Sequence, residues 1–212
     1  GVHIHIIDAE LMGKGEKEKK DLYIEGVQNN GIINHYEYII NSEGTIEIRH
    51  VLKPEGKMPL WFPRIGLTLT VSDALDQVKW YGRGPQENYP DRKTGYPMGI
   101  YASTVQAMYE PYLMPQDYGL RTDVRWLQLT TDKGIGLQFK MNEWFNFNIY
   151  PYSTDNLTKA MYTYQLQKQK GMTLNLDYAT TGVGCTARGV FGAYKAMPQE
   201  YRRTISIRPM MK

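Results

Sequence analysis

The feature that most constrains this sequence is the alternation of apolar and polar residues in many short segments. Successive side chains of a β-strand point to opposite faces, so each such segment predicts a strand with one buried face and one solvated face. The segments that alternate in this way are residues 2–6, 46–48, 65–71, 135–141, 145–149, 172–176 and 205–207.

The same alternation predicts which side chains form the core. The apolar positions expected to be buried are Leu67, Leu69, Phe139, Phe147 and Leu174. Side chains of the opposite parity are expected on the solvated face, as for Thr68, Lys140 and Asn175.

Turn residues separate these segments. Residues 41–44 (NSEG) and 132–134 (DKG) each predict a loop between two antiparallel strands. Ser153 is a candidate N-cap for one short helix that ends near Lys159. Many short antiparallel strands joined by turns predict an all-β sandwich, and no internal repeat or low-complexity linker divides the chain. We therefore expect a single domain over residues 1–212.

The stretch from Trp80 to Gln128 interrupts the alternation and is rich in proline and glycine. Connections longer than about 12–15 residues are uncommon in compact domains and are usually functional or disordered. Its aromatic residues and its prolines favour ordered, packed loops, so we expect the functional features of the chain here.

Composition narrows the possible partners and cofactors. The 25 Lys and Arg residues nearly balance the 22 Asp and Glu residues, and this balance argues against nucleic acid or an anionic membrane as a partner. The single cysteine, Cys185, excludes a disulfide within the chain, and no motif for a metal or another cofactor is present. The 17 tyrosines have apolar faces and polar edges that suit sugar-binding grooves.

Two ordered motifs carry a resemblance to a known family. Residues 80–92 read WYGRGPQENYPDR, and residues 112–126 read YLMPQDYGLRTDVRW. They resemble the two signature blocks of the small-chain domain of large family 2 β-galactosidases. Residues 63–66 (PRIG) and the glycine turn at residues 182–184 (GVG) match further positions of that domain. The motif residues that we expect to have structural roles are Gly84, Pro85, Glu87, Asn88, Tyr89, Asp91 and Arg92.

The resemblance implies a galactose-mutarotase-like supersandwich that lacks the first strands of the family domain. It also implies that both catalytic carboxyls of this retaining glycoside hydrolase lie in a separate, preceding barrel domain of the same polypeptide. The expected function is then that of an accessory domain in the hydrolysis of β-galactosides or related carbohydrates, with no catalytic residue in this chain. The resemblance does not determine whether the chain forms homo-oligomers. It also does not determine whether the protein is located in a bacterial cytoplasm or periplasm.

The candidate sugar contacts come from the second motif and its surroundings. Alternation would place Arg121, Asp123 and Arg125 on one strand face, where they could pair with each other or line a groove. Trp144 is out of phase with its apolar neighbours and is expected on the exposed face. Arg188 follows the glycine turn, at about the register where relatives of this family have a sugar-stacking tryptophan.

Two other functions stay open from the sequence. A stand-alone carbohydrate-binding module would need no catalytic groups. An aldose mutarotase needs a general acid and a general base, typically a histidine with a carboxylate. The four histidines lie outside both motifs, which weighs against mutarotase chemistry. Among them, His50 is the candidate for the histidine of a mutarotase.

Overall fold

The computed structural model describes residues 31–184 and 189–211. Within them the chain forms nine β-strands, one α-helix and three single-turn 3₁₀ helices. The strands are β1 (Gly31–Ile40), β2 (Ile46–Glu55), β3 (Arg64–Val71), β4 (Gln77–Arg83), β5 (Met98–Thr104), β6 (Arg121–Thr130), β7 (Gly136–Tyr150), β8 (Met172–Thr180) and β9 (Tyr201–Met210). The helix is α1 (Thr154–Lys159), and the 3₁₀ turns are Gln106–Met108, Thr163–Gln165 and Gly192–Tyr194.

All the strand pairings in the described residues are antiparallel, which confirms the all-β prediction. The main sheet has the order β1-β2-β9-β7-β6-β4-β5, and β8 and β3 branch from it at β7. The first part of β7 pairs with β9 over Gly136–Met141, and the last part pairs with β8 over Asn146–Tyr150. One long strand thus holds two arms of the sheet, β9-β2-β1 and β8-β3.

The predicted turns and helix cap are confirmed. The side chain of Asn41 accepts hydrogen bonds from the backbone N–H groups of Glu43 and Thr45 in the β1–β2 hairpin, both at 3.0 Å. Ser153 caps α1 because its hydroxyl accepts a hydrogen bond from the N–H of Asn156 at 3.1 Å.

Three local predictions need correction. Residues 136–141 and 145–149, predicted within separate strands, belong to the single strand β7, and their apolar positions keep the same parity. The stretch that we expected to form loops, residues 80–128, contains β5 and most of β6. Asn175, expected to be exposed, is buried because both faces of β8 are covered. The predicted strand at residues 2–6 lies outside the described residues.

The main core draws on residues from most of the strands. Leu67, Leu69, Phe139, Phe147 and Leu174 are all buried, as predicted. Each fully buried side chain of this kind contributes about 1.5–3 kcal/mol of transfer free energy.

A second, smaller cluster lies under the loops and contains Tyr118, Tyr150 and Leu157, with Tyr109 and Tyr152 packed against it; we call it the tyrosine cluster. The described residues contain no helix with the length and apolarity that crossing a bilayer requires.

Candidate functional site

The first motif forms the loop that follows β4, residues 84–92, which we call the signature loop. Glu87 in this loop is buried, and its carboxylate accepts hydrogen bonds from the N–H of Gly119 (2.9 Å), from Arg92 (2.6 Å) and from the hydroxyl of Tyr112. Burial raises the pKa of Glu87, but these hydrogen bonds outweigh it and leave the pKa below its usual value. Glu87 therefore stays ionised and ties the signature loop to the second motif.

The signature loop also closes on itself. It begins at a cis peptide bond between Gly84 and Pro85. The backbone N–H of Arg92 donates to the carbonyl of Tyr89 at 2.8 Å, and the Arg92 guanidinium lies 5.1 Å from the centre of the Tyr89 ring. The Tyr89 hydroxyl donates to Glu87 at 3.2 Å.

Asn88 adds a second connection to the motif at residues 112–126. Its side chain is fully buried, and its N–H donates to the carbonyl of Leu120 at 2.8 Å. The side-chain oxygen of Asn88 accepts hydrogen bonds from both the N–H and the hydroxyl of Thr122. The two motifs therefore pack as one unit.

Asp91 connects the signature loop to the glycine turn, residues 182–184. Its carboxylate accepts hydrogen bonds from the N–H of Val183 at 3.0 Å and from the N–H of Gly184 at 2.6 Å. A Cβ atom on Gly182 would lie 2.3 Å from the carboxyl carbon of Asp91, so any larger residue there would displace the Asp91 carboxylate. Glu87 thus connects the signature loop to the second motif, and Asp91 connects it to the glycine turn.

Asp123 does not pair with its neighbours in the second motif as we expected. The pairing of β6 with β7 shifts register on both sides of Val124, and Asp123 has a φ of 56°. These irregularities break the alternation, so Arg121, Asp123 and Arg125 do not share one regular strand face. Asp123 instead forms ion pairs with Arg83 (2.5 Å) and Lys93 (2.8 Å).

The pKa values of Asp123 and Arg121 are both lowered, but from different causes. Burial raises the pKa of Asp123, but the hydrogen bonds from Arg83 and Lys93 lower it below its usual value. Arg121 is buried against the Trp80 ring, with its guanidinium carbon 5.4 Å from the ring centre, and it donates to the carbonyl of Gly119 at 2.8 Å. Burial lowers the pKa of Arg121 to about 10.

Two of the predicted sugar contacts, Arg125 and Trp144, stack on each other, and Trp144 is the exposed member of the pair. The Arg125 guanidinium lies 3.7 Å from the centre of the Trp144 ring, and Trp144 is 54% exposed. Of the four predicted contacts that lie in the described residues, Arg125 and Trp144 are in contact with each other. Arg121 is buried, Asp123 is engaged with two cations, and Arg188 lies outside the described residues.

The sequence reasoning did not foresee a polar network on the other face of β7 and β8. Arg64 donates to Asp177 at 2.7 Å and to Asp117 at 3.3 Å, and the Asn148 amide donates to Asp117 at 2.9 Å. Tyr150 donates to Asp117 at 3.2 Å. The available signal is the run of polar residues at even positions of β7 and odd positions of β8, which alternation alone assigns to a solvated face.

The charges in this network depend on each other. Burial raises the pKa of Asp177 to about 6, against the opposing charge and hydrogen bond of Arg64. Burial alone would lower the pKa of Arg64, but the charges of Asp177 and Asp117 raise it above its usual value. The pair is therefore ionised at neutral pH.

His50, the candidate for mutarotase chemistry, is buried between the two arms of the sheet. Its Nε2 donates to the side-chain oxygen of Asn34 at 3.0 Å, and its Nδ1 lies 2.7 Å from the hydroxyl of Tyr178. The Tyr36 ring stacks on it at 4.1 Å. Burial lowers the pKa of His50 to about 4, so it is neutral and fully engaged in the interior.

Comparison with known proteins finds sequence relatives of this chain among β-galactosidases. The family model described as "Beta galactosidase small chain" matches residues 7–207. The chain is 38% identical to the beta-galactosidase of Priestia megaterium over 147 residues, which cover 69% of this chain and 14% of that protein.

Other beta-galactosidases match to a similar extent. The enzyme of Vibrio cholerae serotype O1 is 39% identical over 122 residues, which cover 58% of this chain and 11% of that protein. The enzyme of Pseudoalteromonas haloplanktis is 34% identical over 148 residues, which cover 69% of this chain and 14% of that protein. The matched region is thus a small part of each relative.

Proposed function

Because the chain belongs to the β-galactosidase small-chain family, we propose that it is an accessory domain of a longer β-galactosidase polypeptide. The catalytic carboxyls would come from a preceding barrel domain, as the resemblance in sequence implies. The reaction of the whole polypeptide would be the hydrolysis of terminal β-D-galactosides. The role of this chain would be to supply an ordered set of loops beside that barrel.

The observation that carries the proposal is that the carboxylates of the two motifs are already engaged in hydrogen bonds and ion pairs within the protein. Retaining glycoside hydrolysis needs two carboxyls about 5–5.5 Å apart, one of which must act as a general acid. Glu87 and Asp123 have pKa values below their usual range and are held by two or more donors each. Asp91 is bound to the backbone of the glycine turn. These carboxylates therefore suit loop assembly and not proton transfer.

The first test is the activity of the chain by itself. The purified 212-residue chain should not hydrolyse a chromogenic β-galactoside, because it would lack the nucleophile and the general acid. Turnover that follows the protein through purification and disappears in the Glu87→Gln variant would refute the proposal.

The second test uses the full-length polypeptide. Glu87→Gln removes a charge from a site with four donors, so we expect a fall in stability of about 2–4 kcal/mol. The kcat/KM of the folded fraction should stay within about twofold, because Glu87 would not touch substrate. Glu110→Gln is the matched control, since this half-buried neighbour accepts no side-chain hydrogen bond from the residues that the structure describes. A selective loss of kcat in Glu87→Gln without loss of stability would argue for a catalytic role.

Mutarotase activity is less well supported by the geometry. A general base must reach the sugar, whereas His50 is 1% exposed and both of its ring nitrogens have partners inside the protein. Polarimetry of freshly dissolved α-galactose checks this directly, and we expect relaxation at the rate of the buffer alone.

A further inference from the structure

Three segments of the chain meet just after β8, at the glycine turn. They are residues 58–63, 181–184 and 189–198. The N–H of Phe62 donates to the carbonyl of Ala196 at 2.8 Å, and the N–H of Gly182 donates to the carbonyl of Tyr194 at 2.9 Å. The Thr181 hydroxyl donates to the carbonyl of Phe62 at 2.6 Å and accepts from the N–H of Ala196 at 2.9 Å. We call the surface that these three segments form the end patch.

The end patch exposes six large apolar side chains, which are Leu60, Trp61, Val183, Phe191, Tyr194 and Met197. Their exposed fractions run from 38% to 84%. The three segments contain one charged residue, Lys195, whereas charged residues make up 22% of the chain. Aromatic residues and methionine are enriched, and charged residues depleted, at the buried centre of protein–protein interfaces. Exposed apolar surface of this kind marks an interaction site.

The backbone beneath the end patch is held by buried partners. Thr181 and Ala196 are buried, and the Asp91 carboxylate accepts hydrogen bonds from the N–H groups of Val183 and Gly184. A surface that is ordered before it binds loses less conformational entropy on binding. The end patch therefore has two properties of a preformed docking surface, an ordered backbone and apolar side chains with little charge.

The low charge of the end patch indicates a permanent partner. Obligate interfaces are more hydrophobic than transient ones, because their surfaces need not be soluble on their own. The residues matched to the relatives above make up only 11–14% of those proteins, so each relative has room for further domains. A neighbouring domain of the same polypeptide is a permanent partner of this kind.

We propose that the end patch is the surface through which this chain docks on another domain of the same polypeptide. The facing surface would be apolar, with a carboxylate opposite Lys195, whose ammonium lies 5.7 Å from the Trp61 ring centre. This inference rests on the longer polypeptide proposed above, and it adds the surface that holds the chain in place there.

The first test is hydroxyl-radical footprinting of the full-length polypeptide and of the 212-residue chain, with oxidised side chains identified by mass spectrometry. Oxidation of Trp61, Phe191, Tyr194 and Met197 should be about fivefold or more slower in the full-length polypeptide, because the centre of an interface excludes water. Trp80 is fully buried, so it should stay unreactive in both proteins and report that the isolated chain is folded.

A second test uses variants of the full-length polypeptide alone. Phe191→Asp would place a charge inside the interface, so the oxidation of Trp61 and Met197 should rise by about threefold or more. Ile135→Asp is the matched control, because Ile135 is 54% exposed in the β6–β7 hairpin and lies outside the three segments. Its variant should leave those oxidation rates unchanged.

The proposal is overturned if the four side chains react equally in both proteins, or if Phe191→Asp has no more effect than Ile135→Asp. It is equally overturned if the 212-residue chain sediments as a dimer whose end patch is already protected, since a second copy would then be the occupant. Activity on a chromogenic β-galactoside is measured on the same full-length preparation. An active polypeptide with an unprotected end patch refutes the docking surface alone, and an inactive one with a protected end patch refutes the proposed reaction alone.

Discussion

At the scale of single residues, the site depends on a few carboxylates that bind backbone N–H groups of distant loops. Asp91 holds Val183 and Gly184, and Glu87 holds Gly119. Such charge-assisted bonds are shorter and stronger than neutral ones, and each satisfies an N–H that a packed loop would otherwise leave unpaired. The close approach of Asp91 also explains why Gly182 is glycine.

We expect Gly182→Ala to destabilise the protein by about 1–3 kcal/mol, because the new Cβ would overlap the Asp91 carboxyl group. Denaturant melts of Gly182→Ala, Asp91→Ala and the double variant form a double-mutant cycle that measures the coupling. With Asp91 shortened, the added methyl should cost little more. Gly95→Ala is the control, since nothing lies within 4 Å of its Cβ position. Strictly additive effects would mean that the strain at Gly182 has another source.

At the scale of elements, β8 is covered on both faces, with every residue from Met172 to Tyr178 buried. Its apolar face packs in the main core through Leu174 and Leu176. On its polar face, the side chain of Asn175 donates to the side-chain oxygen of Asn148 (2.9 Å) and to the hydroxyl of Tyr150 (3.0 Å), and it accepts from the hydroxyl of Thr68 (2.7 Å). In β8, alternation therefore separates an apolar buried face from a polar buried face. It does not separate a buried face from a solvent-exposed one.

This arrangement predicts that polar and apolar positions of β8 are both sensitive to substitution. Leu174→Ala should cost about 2–5 kcal/mol through the cavity it leaves. Asn175→Ala should cost about 1–3 kcal/mol, because Thr68, Asn148 and Tyr150 would each lose a buried partner. Lys140→Ala, at an exposed position of β7, should stay within about 0.5 kcal/mol in the same denaturant melts. An Asn175→Ala variant as stable as Lys140→Ala would contradict this account of β8.

At the scale of the whole molecule, the two arms of the sheet that diverge from β7 meet again at His50. His50 belongs to β2 and Tyr178 to β8, so their hydrogen bond at 2.7 Å joins one arm to the other. Arg203 lies opposite His50 on β9, with its guanidinium 5.7 Å from the Tyr178 ring centre, and it forms an ion pair with Glu143. Burial disfavours the charged form of the His50 imidazole. A proton on His50 is therefore unfavourable in the folded state.

The contact predicts a loss of stability in mild acid. The pKa of His50 falls from 6.5 to about 4 on folding, so protonation favours the unfolded chain. Its contribution is fully present above about pH 6.5 and is lost as the pH falls towards 4, on the order of 2–3 kcal/mol. Chemical denaturation between pH 7 and 4, with His50→Gln as the variant, measures it.

Asp177 has the opposite effect on stability over part of the same pH range. Its pKa is raised to about 6, so the folded chain takes up its proton first and gains stability as the pH falls. The test therefore compares the two proteins, because Asp177 is common to both. The unmodified chain should lose more stability than His50→Gln between pH 7 and 4, and parallel profiles would show that His50 titrates normally.

The local features of the fold could be predicted from the sequence because they depend on neighbouring residues. Strand faces follow from a period of two, which places Leu67 and Leu69 in the core and Lys140 outside it. The hairpin at Asn41 and the cap at Ser153 follow from side chains that bond the backbone within four residues. The motifs of the signature loop and of residues 112–126 also indicated the family before any contact was known.

Contacts between distant segments were decided only by the tertiary structure. Asp91 and Val183 are 92 positions apart in the sequence. No local sequence pattern shows that the Asp91 carboxylate accepts a hydrogen bond from the glycine turn that contains Val183. The bulges around Val124 moved Arg121 and Asp123 away from the face that alternation assigned to them. The polar side of β8 was misjudged because periodicity distinguishes the two faces of a strand but not what covers each face. Arg64 and the loop that carries Asp117 cover this one, and their position depends on packing across the whole sheet.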